Sequence, residues 1–192
     1  MKKILLDCGA HQGGGLRGMI EENNIDTSWF IYSWEANPHA FRDFNVKFSS
    51  SQLNIVSYNE AVGNKNGSVK INIQQGNGPA SGKGSSIISL DEWRPMGKKP
   101  FIETAEVPMI DFSRWILENL SINDYIVIKM DIEGAEYDVL EKVISVGAID
   151  FIDKLFIEWH SGMFADSQRY IERENIILNE FKKRNIPVEN WL

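Results

Sequence analysis

Short apolar runs alternate with longer segments of helical periodicity along this chain, and this alternation restricts the fold more than any other feature. The runs Lys3–Asp7, Trp29–Trp34 and Tyr125–Met130 are too short to be helices. The segments between such runs carry apolar residues at helical spacing, as a helix packed on a sheet does. This order indicates β-α-β units around a parallel sheet. The sequence therefore predicts an α/β fold with a mostly parallel central sheet flanked by helices.

Local signals place the remaining elements. Asn37 before Pro38 predicts one helix start, Asp111 predicts another, and Gly147 predicts a helix end. The glycine-rich segment 76–86 predicts a mobile loop, which could be a lid over a ligand or a slack connection. Further strands are expected over Leu53–Ala61, Gly67–Gln75 and Lys154–Trp159, of which the second alternates like an antiparallel strand, and further helices over Leu16–Asn24, Ala135–Val146 and Asp166–Lys183.

Bulk properties exclude several classes of protein. A chain of 192 residues suits a single domain, and a net charge of −7 without a long basic cluster argues against nucleic-acid binding. No segment approaches the roughly 20 apolar residues of a membrane span, and the apolar start ends at Asp7, too early for a secretory signal. The single Cys8 fits a reducing compartment. We therefore expect a cytoplasmic protein that contacts neither membrane nor nucleic acid.

An acidic segment directly follows the predicted strand Tyr125–Met130. Ligands of parallel sheets bind beyond the carboxyl ends of the strands, so Asp131 and Glu133 are candidates for an active site. The alternative is that both carboxylates merely cap the next helix. Glu136, the third acid, is expected to be an ordinary carboxylate in the first turn of that helix.

The end of the first strand and the end of the second strand indicate a nucleoside ligand. The glycine-rich turn after Asp7 can bring backbone close to a ligand. Glu35 can accept hydrogen bonds from both ribose hydroxyls, or alternatively support the helix start at Asn37. Gly13–Gly18 matches G-x-G-x-x-G but starts too late after the strand for a dinucleotide turn. An acid at position 7 favours a ligand with a cationic amine, and S-adenosyl-L-methionine has both the amine and the ribose.

Several segments, taken in their order along the chain, resemble those of the FkbM-type S-adenosylmethionine-dependent methyltransferases. They are Asp7–Gly13, Trp34–Pro38, Glu60–Gly63 with Gly67, Gly84–Ser86, Lys129–Glu136 followed by Val139 and Leu140, and Ile157–His160. The resemblance covers most of the chain and implies a single domain over residues 1–192 with a Rossmann-like class I methyltransferase fold. The sequence also departs from the family, because it starts at the first strand without leader helices and stops where the final strand pair is usually complete. We therefore expect a cleft that is more open, or one completed by another subunit of a homo-oligomer.

The resemblance implies roles for individual residues. Asp131 would lie near the amino-acid tail and the transferable methyl group, and Glu35 would bind the ribose. His11 stands where the family usually has asparagine, which leaves its role in the cofactor motif open. The other residues implied in cofactor binding are Asp7, Gly9, Ala10 and Gly13 around the methionine part, Ala36 in the ribose motif, and Glu60 and Ala61 near the adenine.

Methyl transfer requires an acceptor atom held about 3 Å from the methyl carbon and in line with the sulfur. If the acceptor is a hydroxyl of a sugar, glycan or natural product, as the resemblance implies, a general base assists, and the candidates are Asp131, Glu133 and His160. His160 could instead be satisfied by backbone, or these residues with Glu158 could hold a divalent metal, although we expect none. The rival functions are a metal-dependent nucleotide-sugar glycosyltransferase and a non-catalytic binding protein on the same fold.

Overall fold

The computed structural model describes residues 1–74, 84–89, 91–92 and 101–191. Most of the predicted loop 76–86 therefore lies outside the described residues. The strands are β1 (Lys3–Cys8), β2 (Trp29–Trp34), β3 (Asn54–Tyr58), β4 (Ala61–Gly63), β5 (Gly67–Gln74), β6 (Phe101–Asp111), β7 (Tyr125–Met130), β8 (Lys154–Ile157) and β9 (Val188–Asn190). The α-helices are α1 (Gly14–Glu22), α2 (Pro38–Phe48), α3 (Phe112–Asn119), α4 (Glu136–Ser145) and α5 (Ser167–Lys183).

Six strands form the central sheet in the order β3-β2-β1-β7-β8-β9. Every neighbouring pair in this sheet is parallel. The predicted α/β fold with a parallel sheet is therefore confirmed, and its arrangement is Rossmann-like. The strand order reverses between β1 and β7, which is the switch point where such sheets bind ligands.

A second sheet, in the order β4-β6-β5, packs beside the first. The predicted antiparallel strand over Gly67–Gln75 is confirmed as β5, which pairs with β6. The single strand expected over Leu53–Ala61 is wrong, because the chain leaves the central sheet after β3 and joins the second sheet as β4. Asn59 stabilises this crossing, since its side-chain amide donates to the backbone oxygens of Glu35 and Ala36 at 2.8 and 3.1 Å.

Apolar layers cover both faces of the central sheet because side chains alternate along each strand. Ile4 and Leu6 of β1 belong to the cluster that also contains buried residues of α3, α4 and α5, whereas Leu5 belongs to the cluster with residues of α1 and α2. The predicted helix caps are also present. Asn37 accepts from the amides of His39 and Ala40. Among the described residues, no helix is both long enough and apolar enough to cross a membrane.

Candidate active site

The residues that follow the central strands lie in a row at one edge of the sheet. Gly9, Glu35, Asp131 and Glu158 come one position after β1, β2, β7 and β8, and each donates its backbone amide to the last residue of the neighbouring strand. Parallel pairing thus continues one residue past the strands and aligns three acids along this edge. All four residues line a cavity of about 590 Å³. This volume is within the range of roughly 300–1,000 Å³ usual for small-molecule sites.

Gly9 allows the ends of β1 and β7 to meet at the floor of the cavity. Its φ is +81°, and a Cβ there would collide with the backbone oxygen of Asp131. Gly13 is also in the left-handed region, at φ +76°, but it does not line the cavity. It precedes α1, and a Cβ there would collide with the ring of Phe48. The two glycines therefore have different roles, since Gly9 brings the strand ends together and Gly13 packs the turn against α2.

Glu35 is a buried acid held by the backbone of two turns. Its Oε2 accepts from the amide of His11 at 2.6 Å, and its Oε1 accepts from the amide of Asn37 at 2.7 Å. Burial raises the pKa of Glu35 to about 7, although these hydrogen bonds oppose the rise. Each carboxylate oxygen has a second lone pair, so the group can still accept from a diol. Glu35 therefore supports the helix start at Asn37 and also lines the cavity, while its binding of ribose hydroxyls stays a prediction.

The remaining residues predicted to bind the cofactor have varied positions. Ala10 and His11 line the cavity after β1, and His11 is in the left-handed region at φ +48°. Ala36, Glu60 and Ala61 line it on the side of the second sheet, together with Ser85 and Ile87.

Asp7 does not line the cavity, and its contact with a cationic amine stays a prediction from the sequence. Asp7 is fully buried, accepts from Ser33 Oγ at 3.3 Å and lies 3.5 Å from Lys129 Nζ. The reason is register, because Asp7 of β1 lies directly opposite Lys129 of β7 and their side chains share a face. Burial raises the pKa of Asp7, while the charge of Lys129 opposes the rise.

Lys129 is the functional candidate that sequence reasoning missed. It is 2% exposed, lines the cavity, and donates from Nζ to the backbone oxygen of Gly9 at 2.7 Å. Its Nζ also lies 3.7 Å from Asp131 Oδ2. Burial alone would lower the pKa of Lys129, but Asp7 and Asp131 outweigh it and raise the pKa. The available signal was a charged residue inside an otherwise apolar strand, because a buried lysine requires partners.

Three acids surround one nitrogen of His160. Nε2 lies 3.5 Å from Glu133 Oε2, 3.8 Å from Glu158 Oε1 and 3.9 Å from Asp131 Oδ1. The three carboxylates line the cavity, whereas His160 is 4% exposed and is not part of the cavity wall. The structure therefore brings together all three predicted catalytic residues, with Glu133 rather than His160 facing the cavity.

The pKa values of Glu133 and His160 are shifted upward. Burial raises the pKa of Glu133 to about 8, while the nearby His160 opposes the rise. Burial would lower the pKa of His160, but the surrounding carboxylates, Glu136 first, raise it to about 9. Groups with pKa values a little above neutrality can exchange protons at moderate pH, which is a property of acid–base sites.

Glu136 is not the ordinary helix carboxylate that the sequence indicated. It is fully buried, and its two oxygens accept from the amides of Ile132 and Gly134, each at 2.9 Å. Its Oε1 also lies 3.0 Å from His160 Nδ1. The physical reason is the loop before α4, in which Glu133 and Gly134 have φ values of +53° and +104° and turn the amides toward the helix start.

The alternative in which Asp131 and Glu133 only cap α4 is wrong. The residue at the N-cap position is Ala135. The backbone oxygen of Glu133 instead accepts from Ser86 Oγ at 2.5 Å, and Ser86 is bridged to Asn72 of β5. The loop after β7 is thus held by Ser86 on one side and by Glu136 on the other. The side chains of Asp131 and Glu133 line the cavity.

A divalent metal ion has a possible ligand set here. Within the part of the chain that the structure describes, Asp131, Glu133 and His160 each offer one ligand atom, and these atoms lie within 4.8 Å of one another. Carboxylate oxygens with one imidazole suit magnesium or manganese. The same three residues can therefore act as an acid–base cluster or as a metal site.

Comparison with known proteins identifies one family. The family model described as the methyltransferase FkbM domain matches residues 7–184, which is nearly the whole chain. Neither the curated proteins nor the solved structures compared with this chain match it. The family match agrees with the resemblance in the sequence, and it does not favour a glycosyltransferase or a non-catalytic binding protein.

Proposed function

The chain belongs to the FkbM methyltransferase family, and on that basis we propose that it transfers a methyl group from S-adenosyl-L-methionine to a hydroxyl of a sugar, glycan or natural product. One observation carries the proposal. A single cavity is lined by Glu35, a carboxylate that can accept hydrogen bonds from a diol, and by Glu133, an acid with a raised pKa, across the junction of Gly9 and Asp131. A nucleoside cofactor and an acceptor hydroxyl need these two groups within one site.

The residues of the cavity fit this cofactor. Glu35 can accept from the ribose hydroxyls, and Ala36, Glu60 and Ala61 form the wall beside it. Lys129 and Asp131 supply one positive and one negative charge at the floor, which complements a zwitterionic amino-acid tail. Asp131 Oδ1 is buried and makes no hydrogen bond to any described residue, so an ammonium donor would satisfy it. When bound, the cofactor supplies a methyl group that is already activated by its sulfonium.

Glu133 is the proposed general base. It lines the cavity, its side chain is 17% exposed, and its raised pKa suits proton removal from a hydroxyl. His160 lies behind it, with Nε2 3.5 Å from Glu133 Oε2, so it can take up a proton from Glu133. Burial raises the pKa of Glu133 to about 8, and the surrounding carboxylates raise the pKa of His160 to about 9. Turnover is therefore expected to rise as the pH increases from 7 to 9.

Calorimetry with S-adenosylhomocysteine tests the cofactor, and a panel of radiolabelled methyl transfers to free sugars, glycans and phenolic or polyhydroxylated natural products tests the acceptor. Glu133→Gln is expected to lower turnover by about 10²–10⁴-fold with cofactor affinity retained. Glu118→Gln is the control, because Glu118 is an exposed acid on α3 that pairs only with the exposed Arg114 among the described salt bridges. Wild-type turnover in both Glu133→Gln and His160→Ala would exclude the base, and lack of affinity for S-adenosylhomocysteine would exclude the cofactor.

A metal-assisted reaction is the second candidate, because Asp131, Glu133 and His160 have suitable ligand geometry. Dialysis against EDTA separates the two mechanisms. Full activity after chelation supports the acid–base cluster, whereas loss of activity that magnesium or manganese restores supports the metal.

A further inference from the structure

We propose that Glu136 is a positioning residue that acts through His160 and determines which imidazole nitrogen faces Glu133. The proposal rests on the proposed function, because it gives His160 a role behind the general base. Glu136 does not line the cavity and would not touch the acceptor. Its contribution is to orient the ring that receives the proton from Glu133.

Glu136 is itself held rigidly. Oε1 accepts from the amide of Ile132 and Oε2 accepts from the amide of Gly134, and no part of the residue is exposed. Asp138, two residues later in the same helical turn, shows the ordinary arrangement. It is 56% exposed and pairs with Arg173 at 2.6 Å. The burial of Glu136 is therefore specific to its position and not a general property of the first turn of α4.

The contact with His160 selects one tautomer. A carboxylate oxygen can only accept, so the atom that lies 3.0 Å from it, Nδ1, carries the proton. In the neutral ring, Nε2 is then the acceptor. Nε2 is the nitrogen near the cavity-lining acids, of which Glu133 at 3.5 Å is the nearest. Glu136 thus keeps the basic nitrogen on the side where the reaction releases a proton.

The proton path is balanced by groups in the chain. The acceptor O–H bond breaks as the new O–C bond forms, the proton passes to Glu133, and from there it passes to Nε2 of His160. The charged groups that face His160 are Asp131 and Glu133 from the loop after β7, Glu136 from α4 and Glu158 after β8, with Lys129 of β7 beside Asp131. Of these, Glu136 alone contacts Nδ1 in the described structure.

Glu136→Gln tests this role. An amide cannot accept at both of its ends, so the glutamine loses either the bonds at the Oε1 end, to His160 and the amide of Ile132, or the bond at the Oε2 end to the amide of Gly134. Nitrogen-15 NMR of the imidazoles in the full chain is the measurement, and it is tractable because the sequence has three histidines. We expect neutral His160 of the wild type to carry its proton on Nδ1. In Glu136→Gln its titration should move to lower pH by one unit or more.

Asp138→Asn is the matched control, since it removes a carboxylate from the same helical turn and should leave the titration of His160 unchanged. In turnover, Glu136→Gln should move the alkaline rise to lower pH and lower the high-pH plateau by about tenfold or more, with unchanged affinity for S-adenosylhomocysteine. A purely structural role would lower the unfolding temperature without moving the profile.

Two results overturn the proposal. One is a proton on Nε2 in neutral wild-type His160. This result overturns the proposal even if Glu136→Gln does not fold, because it needs only the wild-type protein. The other is an unchanged His160 titration in folded Glu136→Gln. A wild-type protein that transfers no methyl group would contradict the proposed function, but the NMR titration would still decide whether Glu136 positions His160.

Discussion

Replacement of Gly9 by alanine tests whether the close approach of β1 and β7 builds the cofactor site. The alanine Cβ would collide with the backbone oxygen of Asp131 and stand 2.8 Å from its carbonyl carbon. Carbon atoms need about 3.5 Å between them, so the two strand ends must separate by roughly 1 Å. That separation strains the bond from Lys129 Nζ to the Gly9 oxygen, which is a charged and partly buried hydrogen bond.

The expected loss of stability has two parts. An alanine at φ +81° costs about 1–2 kcal/mol, and loss of the Lys129 hydrogen bond adds about 1.5–3 kcal/mol. We therefore expect Gly9→Ala to lower the free energy of unfolding by about 3–5 kcal/mol. Because reacting groups misplaced by 1 Å lose about 10²-fold in rate, turnover should fall by at least that factor.

Gly147→Ala is the matched control. Gly147 has φ +79°, yet a Cβ there meets no atom within 4 Å. It carries the same backbone strain without the collision, so it should lose only about 1–2 kcal/mol and keep full activity. Urea unfolding and calorimetry with S-adenosylhomocysteine measure both variants. Equal unfolding free energies for the two variants, with wild-type affinity in Gly9→Ala, would refute the reasoning.

Three further predictions concern the buried charges. In calorimetry, the affinity of the wild type for S-adenosylhomocysteine should fall as the pH decreases through about 7, because Glu35 then takes up a proton. Glu35→Gln should bind weakly, and its affinity should not change with pH from 6 to 8. Lys129→Met should lower the free energy of unfolding by about 3–5 kcal/mol, since it leaves Asp7 buried without a counter-charge. In urea unfolding, the double variant Lys129→Met with Asp7→Asn should recover part of this loss. Strictly additive losses of the two single variants would argue against an interaction between Lys129 and Asp7. Glu133 binds its proton more tightly in the folded chain, so it lowers the stability of the protein as the pH rises from about 4.5 to about 8. The melting temperature of Glu133→Gln relative to wild type should therefore increase over that pH window, by the equivalent of a few kcal/mol. A melting-temperature difference that stays constant with pH would contradict the raised pKa of Glu133.

Sequence reasoning succeeded where one local rule was sufficient. The central strands were identifiable as short apolar runs, and Asn37 and Asp111 cap α2 and α3 through bonds to nearby backbone amides. Strand β6 was missed because charged residues and Pro108 interrupt its apolar pattern, and only positions such as Val107 and Met109 are buried. Strand β9 is three residues long and mostly exposed, so its sequence has no periodicity to detect.

The convergence of the candidate residues was predictable from the strand ends. Glu35, Asp131 and Glu133 come together because parallel strands finish at the same edge of the sheet, and this follows from the order of elements alone. The contacts of Asp7 with Lys129 and of Glu136 with His160 were not predicted. The contact of Asp7 with Lys129 depends on the register between β1 and β7, which their separate sequences do not contain. Glu136 turns inward because of the left-handed loop before α4.

The sequence by itself determined the fold class, the family and the edge of the sheet where acids and glycines collect. These properties arise from short-range patterns, which involve residues only a few positions apart in the sequence. Only the tertiary structure decided that Lys129 neutralises Asp7, that Glu133 faces the cavity with His160 behind it, and that Glu136 holds His160. Each of these depends on side chains from different elements meeting within about 4 Å, where burial removes water and partners set the protonation state.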